Sequence, residues 1–461
     1  MSRLVVVSNR VAKMDSSNTG SQGGLAVGVM AAMGKAGGLW FGWSGKVENR
    51  DDIEPKIETQ GNIDYATVSL KTAEYNLYYK GFANSVLWPL FHQRPDLMMY
   101  DANDYRGYLE VNEKIAKHLL PLLRPDDTIW IHDYHLIPLG KMLRDAGVTS
   151  PIGFFLHTPF PPLDLLRTVP DYKDILLSLM SYDLVGFQTQ ADYRGFYMSV
   201  TYGLKGKALP GDRYEYQGYS CTAGVYPISI ETDALRGVGK TGEASEEFKR
   251  LHYSLADRQL IIGVDRLDYS KGLEQRLLAY ERLLRKYPEF LRSAVYLQIA
   301  PTSRGDVEAY KDLAKKIDRH VGHIVGTYAD FDWVPLRYLN RGFRRNTILA
   351  MYNLASVGYV TPLRDGMNLV AKEYVAAQNP DDPGVLVLSE MAGAAAELDA
   401  AVHVNPYDIE GITQGLNKAL KMPKEERKER WQSMMDVLKR RDIHYWQESF
   451  LKDLSAAPHG D

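Results

Sequence analysis

Short apolar segments alternate with amphipathic helical patterns along almost the whole chain, and this rhythm limits the folds open to it. Between two apolar segments, for example, Leu273, Leu277, Tyr280 and Leu284 recur at the spacing of one helical face. Such alternation is typical of βαβ units, whose parallel strands form a sheet covered by helices on both faces. We therefore predict a doubly wound α/β fold. In the second half the predicted strands are residues 260–264, 294–299, 323–328, 356–360, 384–388 and 401–404.

The first half shows the same alternation with longer interruptions. Its predicted strands are residues 4–8, 39–43, 127–132, 152–157, 184–188 and 225–230. Because single cores rarely grow beyond about 250–300 residues, a chain of 461 residues is expected to form two. A polar stretch at 231–245, rich in Gly, Thr and Glu, predicts the linker. The expected domains are 1–235 and 236–440, with a helix over 441–461 that packs back on the first domain.

The balance of charge excludes whole classes of partner. The chain has 55 Lys and Arg residues against 58 Asp and Glu residues, a formal net charge of -3. Proteins that bind nucleic acid or anionic membranes through a broadly basic surface carry a large positive excess, so neither partner is expected. Residues 4–7 are too short a run for a signal peptide, and no run approaches the roughly 20 apolar residues of a membrane helix. With Cys221 as the single thiol, we expect a cytoplasmic protein without disulfides.

Three short motifs suggest a cofactor or a metal, and each has a simpler interpretation. Residues 237–242 match the glycine pattern of dinucleotide-binding loops, but such a loop must follow its strand directly, and here residues 231–236 intervene. The D-x-D at 330–332 resembles the acidic pair with which some sugar-nucleotide enzymes hold a metal, but no carboxylate cluster accompanies it. His132 and His135 have a metal-binding spacing without a third ligand. We therefore expect neither a cofactor nor a metal.

Several cations and one helix start fall at the carboxyl ends of predicted strands. Arg10 ends the first strand, and Arg266, Lys271 and Arg304 follow strands of the second half. The segment 365–373 follows another strand and opens a helix, whose first N–H groups and dipole favour a diphosphate. Taken singly, these cations could pair with neighbouring aspartates, and the helix could simply be capped. Their convergence on the edge where open α/β sheets bind ligands favours phosphorylated substrates.

Longer strings around these positions resemble glycosyltransferase family 20. The matching strings are VVVSNR (5–10), GGLAVG (23–28), GGLWFGWSG (37–45), NSVLWPLFH (84–92), WIHDYHL (130–136), GFFLHTPFP (153–161), VDRLDYSKG (264–272), IAPTSRGD (299–306) and TPLRDGMNLVAKEYVAAQ (361–378). They span nearly the whole chain in the family's order, which is far more specific than one glycine motif. Residues 11–22, 46–64 and 203–224 lie outside them. The resemblance implies a GT-B fold, with two Rossmann-like domains and the active site in the cleft between them.

The resemblance also implies a reaction and its residues. The family moves glucose from UDP-glucose to glucose 6-phosphate, with retention and without a metal, giving α,α-trehalose 6-phosphate, and it often forms tetramers. Carried over, the catalytic set would be His157, Asp133, Arg266, Lys271 and Asp365. The donor would contact the last three of these together with Gly23, Gly24, Phe343, Gly366, Met367, Asn368, Leu369, Val370, Ala371, Lys372 and Glu373. The acceptor would contact Arg10, Trp40, Tyr79, Trp88, Asp133, Gln188 and Arg304.

Other functions stay open on the sequence alone. A GT-B transferase with another donor or acceptor is the nearest alternative, followed by an NAD-dependent oxidoreductase and a catalytically silent regulatory homologue. The charged positions of the family are all filled, which speaks against the last of these. Retention normally calls for a carboxylate nucleophile, and no convincing carboxylate pair is visible. The resemblance implies instead a front-face route, in which the leaving diphosphate takes the proton of the acceptor hydroxyl.

Overall fold

The computed structural model describes residues 2–11, 28–30, 33–34, 37–50, 54–302 and 308–458. The described residues form two compact units. The first contains residues up to Ile228 together with those from Ile443 onward, and the second contains Ser229–Asp442. No helix of the described part is long and apolar enough to cross a bilayer.

A ten-stranded sheet forms the centre of the first unit. Its strands are β1 (Leu4–Arg10), β2 (Gly38–Val47), β3 (Lys56–Gln60), β4 (Ile63–Leu70), β5 (Thr128–His132), β6 (Ile152–Phe155), β7 (Leu184–Phe187), β8 (Lys207–Leu209), β9 (Arg213–Tyr216) and β10 (Tyr219–Val225). Their order across the sheet is β3-β4-β2-β1-β5-β6-β7-β10-β9-β8. From β4 to β10 in this order all neighbours are parallel, so the carboxyl ends of β1, β5, β6 and β7 share one edge.

Helices cover this sheet. They are Thr72–Glu74, the π-helix Tyr75–Leu87, Trp88–Phe91, Ala102–Leu119, Leu139–Asp145, Leu163–Leu166, Tyr172–Leu179, Gln190–Met198, the π-helix Ser199–Leu204 and Ile443–Ala456, with 3₁₀ turns at Pro95–Leu97, Leu120–Leu122 and Tyr134–Leu136. The longest begins where the side chain of Asp101 accepts from the Asn103 N–H. It then buries Val111, Ile115 and Leu119 along one face, as the apolar spacing predicts.

The last helix, Ile443–Ala456, covers the middle of the first unit's sheet. The Phe450 ring stacks on Trp130 with 4.7 Å between ring centroids. A Cβ at Gly153 or Gly186 would approach that ring to 2.7 Å, so glycine at both positions allows the helix to lie close to the strands. The Tyr226 hydroxyl donates to Asp453 at 2.8 Å. The helix is therefore part of the first unit's core although the second unit precedes it in the chain.

The second unit holds a six-stranded sheet whose paired strands are all parallel. The strands are β11 (Gln259–Val264), β12 (Ala294–Ile299), β13 (Leu336–Leu339), β14 (Val357–Val360), β15 (Val385–Ser389) and β16 (Val402–Val404). Their order is β13-β12-β11-β14-β15-β16, which counted within the unit is the Rossmann order 3-2-1-4-5-6. The winding reverses between β11 and β14, and the crevice beyond their carboxyl ends is where such sheets bind ligands.

Two helices precede the first of these strands, and the others follow or connect them. They are Thr232–Gly242, Glu246–Leu255, Leu273–Lys286, Glu308–Tyr328, Arg345–Leu354, Leu369–Ala377, Ile409–Lys421 and Lys424–Arg440, with 3₁₀ turns at Tyr269–Lys271, Pro288–Phe290 and Gly393–Ala396. Gly272, at φ 66°, begins the helix Leu273–Lys286, and a Cβ there would lie 2.4 Å from the Thr361 carbonyl oxygen. Only glycine allows this close approach of the β11 and β14 loops.

Three local predictions from the sequence are wrong. Residues 323–328 do not form a strand, because they continue the helix Glu308–Tyr328, whose buried Ile317 and Ile324 lie two turns apart on one face. Residues 226–230 lie beyond the end of β10, and all but the half-buried Pro227 are buried there without forming a strand. The expected linker at 231–245 holds the helix Thr232–Gly242, which packs on Arg345–Leu354 and contains the glycine motif 237–242. That motif therefore follows no strand.

Candidate active site

The loops that follow β11 and β14 meet at the reversal point of the second unit's sheet. The Lys271 Nζ lies 2.5 Å from Asp365 Oδ2, and the two side chains are 12% and 14% exposed. The Asn368 Nδ2 donates to the same carboxylate oxygen at 2.9 Å. A cation and an amide thus hold Asp365 from two sides. The cluster presents one positive charge, one carboxylate and one amide at the edge where this sheet type binds ligands.

The helix Leu369–Ala377 starts beside this cluster. Asn368 adopts the left-handed conformation at φ 74°, and its side chain accepts from the Ala371 N–H at 3.2 Å. An α-helix has no internal acceptors for its first N–H groups, and within the described residues those of Leu369 and Val370 have none. Together with the helix dipole they favour an anion at this end.

The loop that follows β15 forms backbone hydrogen bonds with the segment that begins at Asp365. The Asp365 N–H donates to the Met391 carbonyl at 3.1 Å, and the Gly393 N–H donates back to the Asp365 carbonyl at 3.1 Å. A Cβ at Gly393 would lie 1.8 Å from the Gly366 carbonyl oxygen. The two loops therefore touch through their backbones, and this contact defines the path of residues 365–368.

A buried arginine, Arg276, holds the backbone of Lys271 within the cluster of Lys271, Asp365 and Asn368. Arg276 is fully buried and donates to Asp265 at 2.5 Å and to the Lys271 carbonyl at 3.1 Å. Burial raises the pKa of Asp265, and the Arg276 guanidinium opposes that rise. Arg276 is not among the site residues predicted from the sequence. A signal was present, because Arg276 follows Leu273 by three positions on the apolar face of its helix, and an arginine there needs buried partners.

Other residues carried over to the donor lie in different settings. Arg266 is exposed, and Phe343 is half-buried with the Arg341 guanidinium 5.0 Å from its ring centroid. Lys372 does not face the ligand edge, because its side chain is 1% exposed and pairs with Glu397 at 2.6 Å. Glu373 accepts from Arg345 at 3.0 Å. Met367 and Ala371 are buried, so of these two residues the backbone alone is available to a ligand. Gly23, Gly24 and Arg304 lie outside the described residues.

In the first unit, Asp133 and His157 follow the neighbouring strands β5 and β6. The His157 N–H donates to Asp133 Oδ1 at 3.3 Å, which ties the two strand ends together. Asp133 has φ 74° and ψ 163°, a conformation that is rare outside glycine and costs of order 1–3 kcal/mol. Its N–H donates to the Phe155 carbonyl at 2.8 Å, so the sheet holds the strained residue in place. Strain of this kind is concentrated at functional sites.

A second histidine lies behind His157. The Nδ1 of His132 and the Nε2 of His157 are 3.1 Å apart. Burial lowers the pKa of His157 to about 3, and burial together with the neighbouring His157 lowers the pKa of His132 well below its ordinary value. Both rings are therefore neutral near pH 7. His157 can offer a neutral donor or acceptor to a sugar hydroxyl, but it cannot serve as a cation.

These lowered pKa values predict a loss of stability in acid. An unfolded chain protonates histidine near pH 6.5, whereas folded His157 takes its proton only near 3. Between these values the unfolded state binds more protons, so the free energy of unfolding falls as pH drops, by about 1.4 kcal/mol per pH unit for each such histidine. We expect urea midpoints to decline below about pH 6.5, and less steeply in His157→Gln. His323→Gln is the control because that ring is 59% exposed. Equal slopes in wild type and His157→Gln would contradict the shift.

Arg10 lies at the carboxyl end of β1 and is exposed. Its guanidinium lies across Gly45, since a Cβ there would come within 2.7 Å of Nε. Next to this strand end, Tyr79 stacks on His135 with 5.7 Å between ring centroids. Trp88 packs on His92 at 4.0 Å. This edge therefore combines one exposed cation with the half-buried Tyr79 ring, whereas Trp88 is 6% exposed and belongs to the core. A cation beside an aromatic ring suits a sugar phosphate.

Two residues carried over to the acceptor lie in the core instead. Trp40 is 0% exposed, and its indole N–H donates to Ser8 Oγ at 2.8 Å. Gln188 is 2% exposed and accepts from the Ile228 N–H at 3.0 Å. Both side chains brace the ends of strands. That Trp40 and Gln188 contact the acceptor stays a prediction.

The motifs that suggested a metal have protein partners. Asp330 pairs with Arg292, and Asp332 lies 3.5 Å from Arg258. His132 contacts His157, as described above, and His135 lies among aromatic rings. No group of three or more His, Cys, Asp or Glu side chains in the described part of the chain is arranged to hold a metal ion.

Comparison with known proteins identifies the family. The model of glycosyltransferase family 20 matches residues 2–456. The trehalose-6-phosphate synthase of Sodalis glossinidius is 48% identical over 458 residues, which cover 99% of this chain and 97% of that protein. The corresponding protein of Sinorhizobium fredii is also 48% identical, over 99% of both chains.

Solved structures agree with these relatives. A trehalose-phosphate synthase from Burkholderia xenovorans in complex with glucose-6-phosphate is 46% identical, with a TM-score of 0.95 over 98% of this chain and all of that one. A structure from E. coli bound with UDP-2-fluoro glucose is 47% identical, with a TM-score of 0.94 over 98% of this chain and 99% of that one. The expected fold class, an α/β chain with two parallel-sheet domains, is confirmed. By sequence and by fold, the chain belongs to glycosyltransferase family 20.

Proposed function

We propose that the chain is a retaining glycosyltransferase that moves glucose from UDP-glucose to glucose 6-phosphate, giving α,α-trehalose 6-phosphate and UDP. The observation that carries the proposal is the cluster of Lys271, Asp365 and Asn368 beside a helix start at the reversal point of the second unit's sheet. The substrates are supported by the Burkholderia structure, which holds glucose-6-phosphate, and by the E. coli structure, which holds UDP-2-fluoro glucose.

The second unit offers the chemistry that a nucleotide sugar needs. The diphosphate would accept hydrogen bonds from the Leu369 and Val370 N–H groups, with Lys271 and Arg266 supplying positive charge. These cations would take the place of the metal that other sugar-nucleotide enzymes use. Asp365, held by Lys271 and Asn368, would accept from hydroxyls of the donor glucose. Glu373 would accept from the ribose through the oxygen that Arg345 leaves accessible, since its side chain is 19% exposed.

The first unit offers the chemistry that a hexose phosphate needs. Arg10 would pair with the phosphate, and Tyr79 and Trp88 would contact the sugar. Asp133 would accept from an acceptor hydroxyl. The family resemblance adds Arg304 to the residues that would bind the phosphate. His157, neutral near pH 7, would orient the donor glucose by a hydrogen bond.

The reaction requires one bond to break and one to form at the same face of the donor carbon. The bond from that carbon to the diphosphate oxygen breaks with its electron pair on the oxygen. The acceptor hydroxyl oxygen then bonds to the carbon, and its proton passes to the departing diphosphate. Lys271, Arg266 and the helix start stabilise the charge that develops on this leaving group. Asp365 is unsuited as a nucleophile because Lys271 and Asn368 engage its carboxylate.

A nucleotide-release assay tests the proposal. Purified chain is incubated with UDP-, GDP- or ADP-glucose, with and without glucose 6-phosphate, in the presence of EDTA. We expect UDP release that depends on glucose 6-phosphate and survives EDTA. Release with another nucleotide or another acceptor would replace the substrates proposed here, and dependence on an added metal would return the D-x-D at 330–332 to consideration.

The contact between Arg10 and Gly45 gives a prediction for the acceptor. Gly45→Ala adds a Cβ within 2.7 Å of the guanidinium and must displace it. A charge-assisted hydrogen bond is worth about 1.5–3 kcal/mol, so the KM for glucose 6-phosphate should rise about tenfold or more, with the KM for UDP-glucose little changed. Gly147→Ala is the matched control: its φ of 86° is close to the 82° of Gly45, but a Cβ there meets nothing within 4 Å. An equal rise in KM in both variants would show a general effect of backbone strain.

We further propose that the enzyme works in the cytoplasm as a homotetramer. The family resemblance supports the assembly, and the buried thiol of Cys221, whose pKa burial raises, is consistent with a reducing compartment. Light scattering coupled to gel filtration measures the assembly directly. A mass four times the 52.1 kDa of the chain is expected, and a monomer at micromolar concentration would contradict the tetramer.

A further inference from the structure

The environment of His132 determines where its proton lies. Its Nε2 is buried and has no hydrogen-bond partner among the described residues. Two indole rings lie next to the His132 ring: Trp130, at 4.6 Å between ring centroids, and Trp446, at 6.3 Å. The Nε1 atoms of both indoles are likewise buried without a partner in the described part of the chain. None of the three nitrogens bonds to another, so an N–H at His132 Nε2 would have no acceptor among the described residues, whereas a lone pair there needs none.

The other nitrogen of His132 must then carry the hydrogen. A neutral imidazole has one donor and one acceptor nitrogen, and orphaned buried N–H groups are rarer than under-used acceptors. With Nε2 as the acceptor, Nδ1–H donates across the 3.1 Å to His157 Nε2. His157 then has its own hydrogen on Nδ1. That nitrogen makes no hydrogen bond with the residues the structure describes, and His157 as a whole is half-buried.

We propose that His132 is a positioning residue that holds His157 as its Nδ1–H tautomer, and so makes it a hydrogen-bond donor to an oxygen of the transferred sugar. The inference rests on the proposed function for the identity of that sugar. The proposed hydrogen bonds form a relay that runs in one direction from the core to the site: His132 donates to His157, and His157 donates to the ligand. The Asp133 carboxylate accepts from the backbone N–H of His157 at 3.3 Å, and so holds the main chain of His157 in place.

The test reads the tautomer directly. The chain is labelled with ¹⁵N-histidine, and two-bond ¹H–¹⁵N correlations are recorded without substrate, with the His157 signals among the 11 histidines identified by their loss in His157→Gln. We expect a protonated Nδ1 and an unprotonated Nε2 on His157. The reverse pattern in the wild-type chain would overturn the proposal. Because no substrate is present, the expected pattern in a chain that fails to turn over UDP-glucose would contradict the proposed reaction and not the relay.

Two variants separate positioning from folding. His132→Leu removes the donor, so the His157 tautomer should change toward Nε2–H and kcat should fall about tenfold, with the KM for glucose 6-phosphate unchanged. His132→Asn places an amide near the former Nδ1, and it should restore both the tautomer and most of kcat. A fall in kcat in His132→Leu without a change of tautomer would overturn the relay. If His132→Leu does not fold, His132→Asn provides the test. A His132→Asn variant in which His157 loses its Nδ1–H form but kcat stays at the wild-type value would also contradict the proposal.

Discussion

Lys271→Ala should lower kcat at least 100-fold. The side chain is 12% exposed and already points at Asp365, so it is preorganised beside the site where the leaving diphosphate would develop charge. Removing one such contact typically costs about 2.7–4 kcal/mol in the transition state. The change also leaves the Asp365 carboxylate without its cation, which adds a repulsive group next to the diphosphate. Steady-state kinetics with UDP-glucose and glucose 6-phosphate measure the effect, and Arg266→Ala should show a loss of the same order.

Lys286→Ala is the matched control. Lys286 ends the helix that begins two residues after Lys271, is 44% exposed, and pairs with Glu410 at the surface. The substitution removes the same charge and the same kind of ion pair, and exposed pairs of this kind are worth at most about 1 kcal/mol. Its kcat should stay close to that of the wild type. Wild-type turnover in both Lys271→Ala and Arg266→Ala would exclude these cations from leaving-group stabilisation.

Gly393→Ala should displace residues 365–368, the loop proposed to bind the donor, and so weaken donor binding while leaving acceptor binding intact. The added Cβ would lie 1.8 Å from the Gly366 carbonyl oxygen, and neither loop has a flexible side chain at that point that could move aside. Residues 365–368 must therefore move. Overpacking of this kind costs about 1–3 kcal/mol of stability, and displacement of the helix start should weaken UDP binding 100-fold or more. Calorimetric titrations of the same protein preparation, one with UDP and one with glucose 6-phosphate, measure donor-side and acceptor-side binding independently.

Gly322→Ala serves as the control for Gly393→Ala. Gly322 lies within the helix Glu308–Tyr328, and a Cβ there meets nothing within 4 Å. Because alanine is a better helix former than glycine, this variant should be more stable by about 0.5–1 kcal/mol and should bind UDP normally. Undiminished UDP affinity in Gly393→Ala would show that the contact of the two loops does not define the donor site.

The alternation of strand and helix was enough to predict the class of fold. Buried parallel strands appear in a sequence as short continuous apolar runs, and the helices between them appear as amphipathic repeats. The wrong assignments have local causes. Residues 323–328 combine β-branched and aromatic residues that fit a strand, but they continue a helical face that begins far upstream, and packing of that face decided the outcome. The stretch 231–245 is rich in glycine and polar residues, yet Leu235 buries against the core and the segment folds as a helix.

The site was accessible from sequence where a residue's neighbours in the chain are also its neighbours in the structure. Asn368 caps the helix that its own segment starts, and this is visible as a pattern. Contacts across the sheet are different. The pairing of His132 with His157 and the contact of Gly393 with Gly366 join residues from different strands or loops. Such contacts depend on strand order, which a single sequence does not reveal.

The most direct test of the central claim is the structure of the product. UDP-glucose and glucose 6-phosphate are incubated with the purified chain, and the anomeric protons of the sugar phosphate are read by ¹H NMR while UDP release is followed. Transfer with retention predicts a disaccharide phosphate in which both anomeric protons show the small coupling of α linkages, formed in equal amount with UDP. A product with a β linkage at the transferred glucose, or UDP release without any disaccharide, would contradict the account.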